Sequence, residues 1–348
     1  MIRPTLGLFL VASVTMLSAG SCLGESPHRG GTLTQLVEAE PNTLDCHAGG
    51  TSYVLELLAP HYSTLLRFDA DHYPKIEGDV AQSWTVSSDR LTYTFKLRPN
   101  VLFHDGTPLT AEDIKATYDR LRNPPPGVTS VRQGQFKDIS AIDVVDPLTI
   151  SFRLSQPNDS MPVTFASPWN CIYSAKKLSE DAKFPETHVL GTGPFVFIEY
   201  EKGSHFLAKR FDRYFRQGEP YLDEYRSIFV SGAGVVSALA GGQADATFLY
   251  VAPPDVERIK AARGDRTRFE TAPLNVFQFV TLNTKKAPLD DVRVRRALNL
   301  AIDRRLGEKE LSRITILRNF GSIMPPSSAF ALTPRMPVSP ANFRCSMI

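Results

Sequence analysis

Apolar and polar residues alternate strictly in two stretches of the chain. Leu91, Tyr93, Phe95 and Leu97 interleave with Thr92, Thr94, Lys96 and Arg98; Leu148, Ile150, Phe152 and Leu154 interleave with Thr149, Ser151 and Arg153. A period of two sorts each set onto its own face, so both stretches predict half-buried strands. Between them the period lengthens, and Ile114, Tyr118 and Leu121 fall on one side of a helix. Thr110 and Asp113 stand at capping-box spacing at its start, where a carboxylate also suits the positive helix end. The run Asn123-Pro124-Pro125-Pro126-Gly127 ends it, because proline lacks the N–H and restricts the residue before it.

The same reading extends along the chain. A short strand is predicted at Thr32 to Val37, then a Pro41-Asn42 turn, then a helix from Tyr53 to Leu66. From Gly191 a glycine-proline corner leads into two strands that form a hairpin around Lys202-Gly203. "GGQADATFLYV" reads as a helix end passing into a buried strand. "FQFVTLNTKKAPLDDVRVRRALNLAIDR" predicts a strand, a loop and a helix capped by Asp290 or Asp291, with Val294, Leu298, Ala301 and Ile302 on its apolar face. Helices and strands interleave throughout without an internal repeat, which is mixed α/β.

The ends add a compartment. Arg3, an apolar run from Leu6 to Leu17 and the small residues Ser18 to Cys22 have the three-part layout of an export signal over residues 1–24. That run is too short to span a bilayer, and no later stretch approaches the roughly 20 apolar residues needed. Cys22 is placed for lipid attachment, while Ala19-x-Ser21 suits ordinary cleavage, and both remain open. With 348 residues the chain suggests two domains or one large discontinuous one. Lys and Arg total 39 against 37 Asp and Glu, a net charge of +2 that offers no footprint for nucleic acid or an anionic membrane. Cys46 and Cys171 are the cysteines inside the body of the chain. They stand either as a disulfide or as two buried small apolar residues, and the second reading is preferred.

Candidate chemistry is sparse. His104-Asp105 would need a nucleophile or bound water to be catalytic; Asp105-Gly106 is instead a turn signal, and the pair reads as structural. His47, His61, His72, His104, His188 and His205 form no compact metal pair and read as surface or turn residues. "GAGVVS" at 232–237 falls short of a dinucleotide fingerprint because Ser237 replaces the last glycine. Arg293, Arg295 and Arg296 read as a solvated helix face.

"FHDGTPLTAEDIKATYDRL", "GTGPF", "ALAGGQADA" and "LNTKKAPLDDVRVRRALNLAIDR", in that order and spacing, resemble the bacterial extracellular solute-binding proteins of ABC transporters, in the family of the peptide-, dipeptide- and nickel-binding members. The likeness covers roughly residues 30 to 330. It implies a periplasmic-binding-protein type II clamshell of mixed sheets with flanking helices, which closes on a solute and delivers it to permease subunits of an ABC importer. Such a protein is no enzyme: it is an exported, periplasmic monomer with no cofactor, no metal and no nucleic-acid partner, and its solute is most simply a peptide. A sensory protein presenting ligand to a chemoreceptor shares that fold; an exported hydrolase is the weaker alternative, with no nucleophile elbow, zinc helix or paired carboxylates in view.

By this resemblance residues 30–75 and 186–285 form a discontinuous domain I, 76–185 a side subdomain, and 286–348 the start of a second lobe. Family members continue well past the "AIDR" helix, whereas the stretch from about 332 carries three prolines and no likeness. The expectation is a first lobe and side subdomain largely present, with a second lobe mostly missing. That lobe would carry the acidic residue with which peptide binders commonly hold a ligand's amino terminus. Site candidates therefore lie in the first lobe: Thr43 and Tyr53 in "NTLDCHAGGTSY", and Trp169 and Asn170 in "SPWNC". Asn283, at the expected hinge, either caps its loop or touches ligand.

Overall fold

The computed structural model describes residues 27–248, 251–270 and 280–301. The export signal with Cys22, the strand expected just before residue 280 and the tail from about 332 lie outside the described residues.

The chain starts one sheet, leaves it to build another, and returns to complete the first. β1 (Thr32–Val37) comes first, then α1 (Ser52–Leu58) and the small ribbon of β2 (Leu66–Phe68) and β3 (Ile76–Gly78). The excursion holds β4 (Ala81–Val86), β5 (Thr92–Leu97), α2 (Ala111–Arg122), β6 (Ile139–Asp146) and β7 (Thr149–Leu154). Its four strands form an antiparallel sheet in the order β4-β5-β7-β6. The short helices α3 (Met161–Phe165) and α4 (Ala175–Glu180) lead back. β8 (Phe195–Glu201), β9 (His205–Arg210) and β10 (Glu224–Phe229) then rejoin β1, to which β10 pairs in parallel. α5 (Ala233–Gly241) leads into β11 (Ala246–Thr247), which closes a five-stranded sheet in the order β11-β1-β10-β9-β8. α6 (Pro253–Arg263) and α7 (Val292–Ala301) follow.

The alternation seen in the sequence decides what the second sheet buries. Tyr93, Phe95 and Leu97 of β5 and Ile150, Phe152 and Leu154 of β7 are buried, and α2 lays Ile114, Tyr118 and Leu121 over the same core. Ring centroids lie 5.1 Å apart for Tyr118 and Phe152 and 4.9 Å for Phe152 and Phe165. Each fully buried large apolar side chain contributes about 1.5 to 3 kcal/mol, and edge-on rings add to this. Asp113 caps α2 as its spacing predicts, accepting from the Thr110 backbone N–H at 2.8 Å. Its other oxygen accepts from Ala175 N–H at 2.8 Å, which ties the start of α2 to the start of α4.

Three sequence expectations change. The helix expected from Tyr53 to Leu66 stops at Leu58 and gives way to a single 3-10 turn at Ala59–His61, because Pro60 has no N–H to continue the ladder. Leu66 instead opens β2. Of the buried strand expected in "GGQADATFLYV", the described residues form a two-residue, half-buried edge strand, Ala246 and Thr247 pairing with β1, while residues 249–250 lie outside the described residues. On α7, Asp291 does accept from Arg293 N–H at 2.8 Å, but Leu298 on the expected apolar face is exposed. Arg295 is turned back onto the Leu289 and Asp290 carbonyls rather than out to solvent.

Candidate ligand-binding site

The loop after β1 and the turn before α4 were each singled out by composition, and the fold brings them together. Cys46 and Cys171, 125 residues apart in sequence and both fully buried, are joined as a disulfide. The preferred reading of two unpaired buried cysteines is therefore corrected. The two segments meet because the chain returns from its excursion across the first loop, a proximity that no local pattern encodes.

Around this bond lies a buried polar network. Arg120 of α2 donates to Asp45 from Nη2 at 2.6 Å and from Nη1 at 3.3 Å, with both side chains almost completely buried. Burial pushes the Asp45 carboxyl up, and the neighbouring His47, whose backbone N–H donates to it at 2.9 Å, together with the Arg120 guanidinium outweighs that and holds the group below its ordinary value. The Tyr173 hydroxyl donates to Asp45 at 2.9 Å and accepts from Cys46 N–H at 2.9 Å. Arg120 Nη1 also donates to His47 Nδ1 at 2.9 Å, and His47 Nε2 lies 3.0 Å from the Cys171 carbonyl. An arginine donor at Nδ1 requires a lone pair there, so the proton sits on Nε2 and the ring is neutral. Burial agrees, pulling His47 down to about 3. Each charge and each ring nitrogen is answered, so the loop is held rigidly to α2.

His47 and His61 thus depart from the expected surface or turn roles: both are fully buried. His61 Nδ1 lies 2.8 Å from the Phe195 carbonyl, and burial pulls its ring to about 3. His104 fits the structural reading. Its Nε2 lies 3.0 Å from the Gly193 carbonyl and its N–H donates to the Gly191 carbonyl at 2.9 Å, docking the turn onto "GTGPF". Gly193 is needed there, since a Cβ would sit 2.5 Å from the His61 carbonyl carbon. Asp105 accepts from the Thr107 N–H and hydroxyl at 2.9 and 2.7 Å, closing its own turn around Gly106 at φ +88.

Of the four residues singled out for ligand contact, three are half-buried and Asn170 is fully buried. Trp169 is half-buried, and its ring carries the Arg132 guanidinium carbon 3.7 Å from the centroid. Tyr53, at the start of α1, is half-buried and donates to Glu38 at the end of β1 at 3.4 Å. Burial and then the Glu38 charge raise its hydroxyl pKa. Thr43 is half-buried and accepts from Asp45 N–H at 3.1 Å, which shapes the loop. Asn170 is fully buried and donates to the Thr164 carbonyl at 2.6 Å, so it braces the turn that carries Trp169. Asn283 accepts from Lys285 N–H at 3.0 Å and caps its loop.

Sequence reasoning passed over Arg132. Its segment is fastened to the same loop: Val131 N–H donates to the His47 carbonyl at 3.1 Å and Arg132 Nη1 to the Gly49 carbonyl at 2.8 Å. A lone arginine in a polar loop carries no local signal of such a role. Trp169 with Arg132 and Tyr53 with Glu38 are thus two aromatic–charged pairs, both aromatic rings packed against the core that holds the Cys46–Cys171 bond. Among the described residues no three His, Cys, Asp or Glu converge as a metal site.

Residues 75–311 match the family model described as bacterial extracellular solute-binding proteins, family 5 middle. A glutathione-binding protein of Pectobacterium atrosepticum is 29% identical over 264 residues, covering 75% of this chain and 50% of that protein. Its counterpart in Salmonella paratyphi A is 28% identical over 305 residues, covering 87% and 58%. The chain spans about half the length of the curated relatives it matches. Among solved structures, the binding protein AgaA of A. tumefaciens R10 in complex with agropinic acid is 31% identical, with TM-score 0.69 over 79% of this chain and 54% of that one. The dipeptide-binding protein of Pseudoalteromonas sp. SM9913 in complex with Met-Leu superimposes with TM-score 0.70 at 22% identity, over 86% and 62%, a likeness of fold.

Proposed function

The chain belongs to the bacterial extracellular solute-binding proteins of family 5, and on that footing we propose that it captures a small peptide in the periplasm and hands it to the permease of an ABC importer. Such a role needs neither a nucleophile nor a cofactor, because the solute changes compartment with its bonds intact. The observation that supports the reading is a braced pair of segments: Trp169, Tyr53 and Thr43 stand half-buried on or beside loops that a disulfide and a buried ion pair hold in place. A preorganised rim loses little entropy on binding, which is what an unmodified, reversible ligand requires. Asn170 contributes from behind by fixing the Trp169 turn. In this reading the export signal at 1–24 delivers the chain, the five-stranded sheet is the lobe that bears the site, and the four-stranded sheet is its side subdomain.

The test is a thermal melt of the exported chain with and without Met-Leu or glutathione. Ligand at about 100 times its Kd stabilises the native state by about 2.7 kcal/mol, which moves the midpoint upward by several degrees. A midpoint that stays in place with both ligands at millimolar concentration would overturn the peptide reading.

A further inference from the structure

The corner at 191–195 is gripped from two sides. His61, at the end of the 3-10 turn after α1, accepts from Gly193 N–H through its backbone carbonyl at 2.9 Å; His104, in the turn between β5 and α2, donates its N–H to the Gly191 carbonyl at 2.9 Å. Both rings add a bond of their own, His61 Nδ1 to the Phe195 carbonyl at 2.8 Å and His104 Nε2 to the Gly193 carbonyl at 3.0 Å. A carbonyl only accepts, so the protons sit on His61 Nδ1 and His104 Nε2. The opposite nitrogens, His61 Nε2 and His104 Nδ1, keep their lone pairs, and both are buried with no hydrogen-bond partner among the described residues.

Nothing around these nitrogens welcomes a positive charge. The two ring centroids lie 6.4 Å apart, so a proton on one imidazole repels a proton on the other. On the β8 and β9 side His61 faces the rings of Phe197 and Phe206, and His104 packs on Phe211. His104 is the titratable group that acts on His61. Beside His104 the carboxylate of Asp105 is held by its own turn at Thr107, and two cations stand on that side: Lys177 acts on Asp105, and Arg213 lies over Gly106. A protonated ring would thus carry a buried N–H without an acceptor, and it finds water only when the turn leaves the corner.

We propose that His61 and His104 form an acid-sensitive joint: near neutral pH it docks the four-stranded excursion on the corner that opens β8, and toward pH 5 the 103–107 turn lifts away while both sheets persist. The device needs both imidazoles, one from each side of the joint. Acid therefore acts on the docking of the two parts before it acts on their cores.

Site-resolved native-state hydrogen exchange tests this, because the amides of His104 and Gly193 are protected by the joint itself. An imidazole at about 3 when docked and 6.5 when open lowers the protection factor, corrected for intrinsic exchange, by about 25-fold between pH 7 and pH 5. That fall or more is expected at both amides, by an opening that low urea does not accelerate. His61→Asn with His104→Gln offers an amide donor to each ring's carbonyl and removes the titration, so both amides should then be protected equally at the two pH values. Protection in the parent that is the same at pH 7 and pH 5 would overturn the proposal. So would a fall that low urea steepens as it does for the amides of β5, since acid would then act through global unfolding. If the double variant does not fold, the urea dependence in the parent still decides.

Discussion

Removing the Cys46–Cys171 disulfide, by the double substitution Cys46→Ala with Cys171→Ala, isolates what holds the rim together. The bond closes a loop of 125 residues. In the chain-entropy treatment such a crosslink lowers the unfolded state's entropy by a fixed term plus a logarithm of loop length, which gives about 5 kcal/mol at room temperature. A native domain is stable by only about 5 to 15 kcal/mol, so the loss consumes a large share of the total. The figure is an upper value, since residual structure in the unfolded chain reduces it. The alanines add a smaller cost, because both sulfurs are completely buried. The assay is urea unfolding of the oxidised parent and the double variant, with the dithiothreitol-reduced parent as a check free of substitutions. The variant and the reduced parent should both lose several kcal/mol. A loss below about 1 kcal/mol in either would refute the reasoning, because the loop would then be pinned by other contacts and the disulfide would be incidental.

Three further outcomes follow from the same region. Asp45→Asn leaves Arg120 buried beside a neutral amide and should cost about 3 to 5 kcal/mol in urea unfolding, with Asp45→Asn plus Arg120→Met costing clearly less than the two singles added. Stability should fall on acidification. His47 and His61 sit at about 3 in the folded chain against 6.5 ordinarily, so stability is full above about pH 6.5 and is lost as pH falls toward 3; by about pH 5 each has cost about 2 kcal/mol, which a flat urea midpoint from pH 7 to 5 would contradict. Gly193→Ala should cost about 1 to 3 kcal/mol or abolish folding, because its Cβ would meet the backbone of residues 60–62, whereas Gly134→Ala, with nothing within 4 Å, should be close to neutral in the same melt.

The parts of the fold that showed in the sequence are those that repeat along it. Period-two alternation marked β5 and β7 because each presents one face to a core and one to solvent; Thr110 and Asp113 marked the start of α2 because a cap is made by neighbours three positions apart. Pro60 was also legible, and the helix drawn through it gave it too little weight. What escaped lies between distant segments. The Cys46–Cys171 bond depends on the return from the excursion, and the burial of His47 depends on Arg120 arriving from α2 and Cys171 from the turn before α4. Asn170 and Trp169 are adjacent and chemically equivalent as candidates, yet one points into the core and the other lies at the rim. Arg132 stood out only once the structure stacked it on Trp169 and tied it to the Gly49 carbonyl.

The central claim is that ligand binds at the rim carrying Trp169. The chain holds two tryptophans, so a Trp84→Phe background leaves Trp169 as a single reporter. Its emission, followed while Met-Leu is titrated in, should change saturably and with the same midpoint as the heat of binding. Calorimetric binding with no change in that emission would contradict the account, since the peptide would then be held elsewhere.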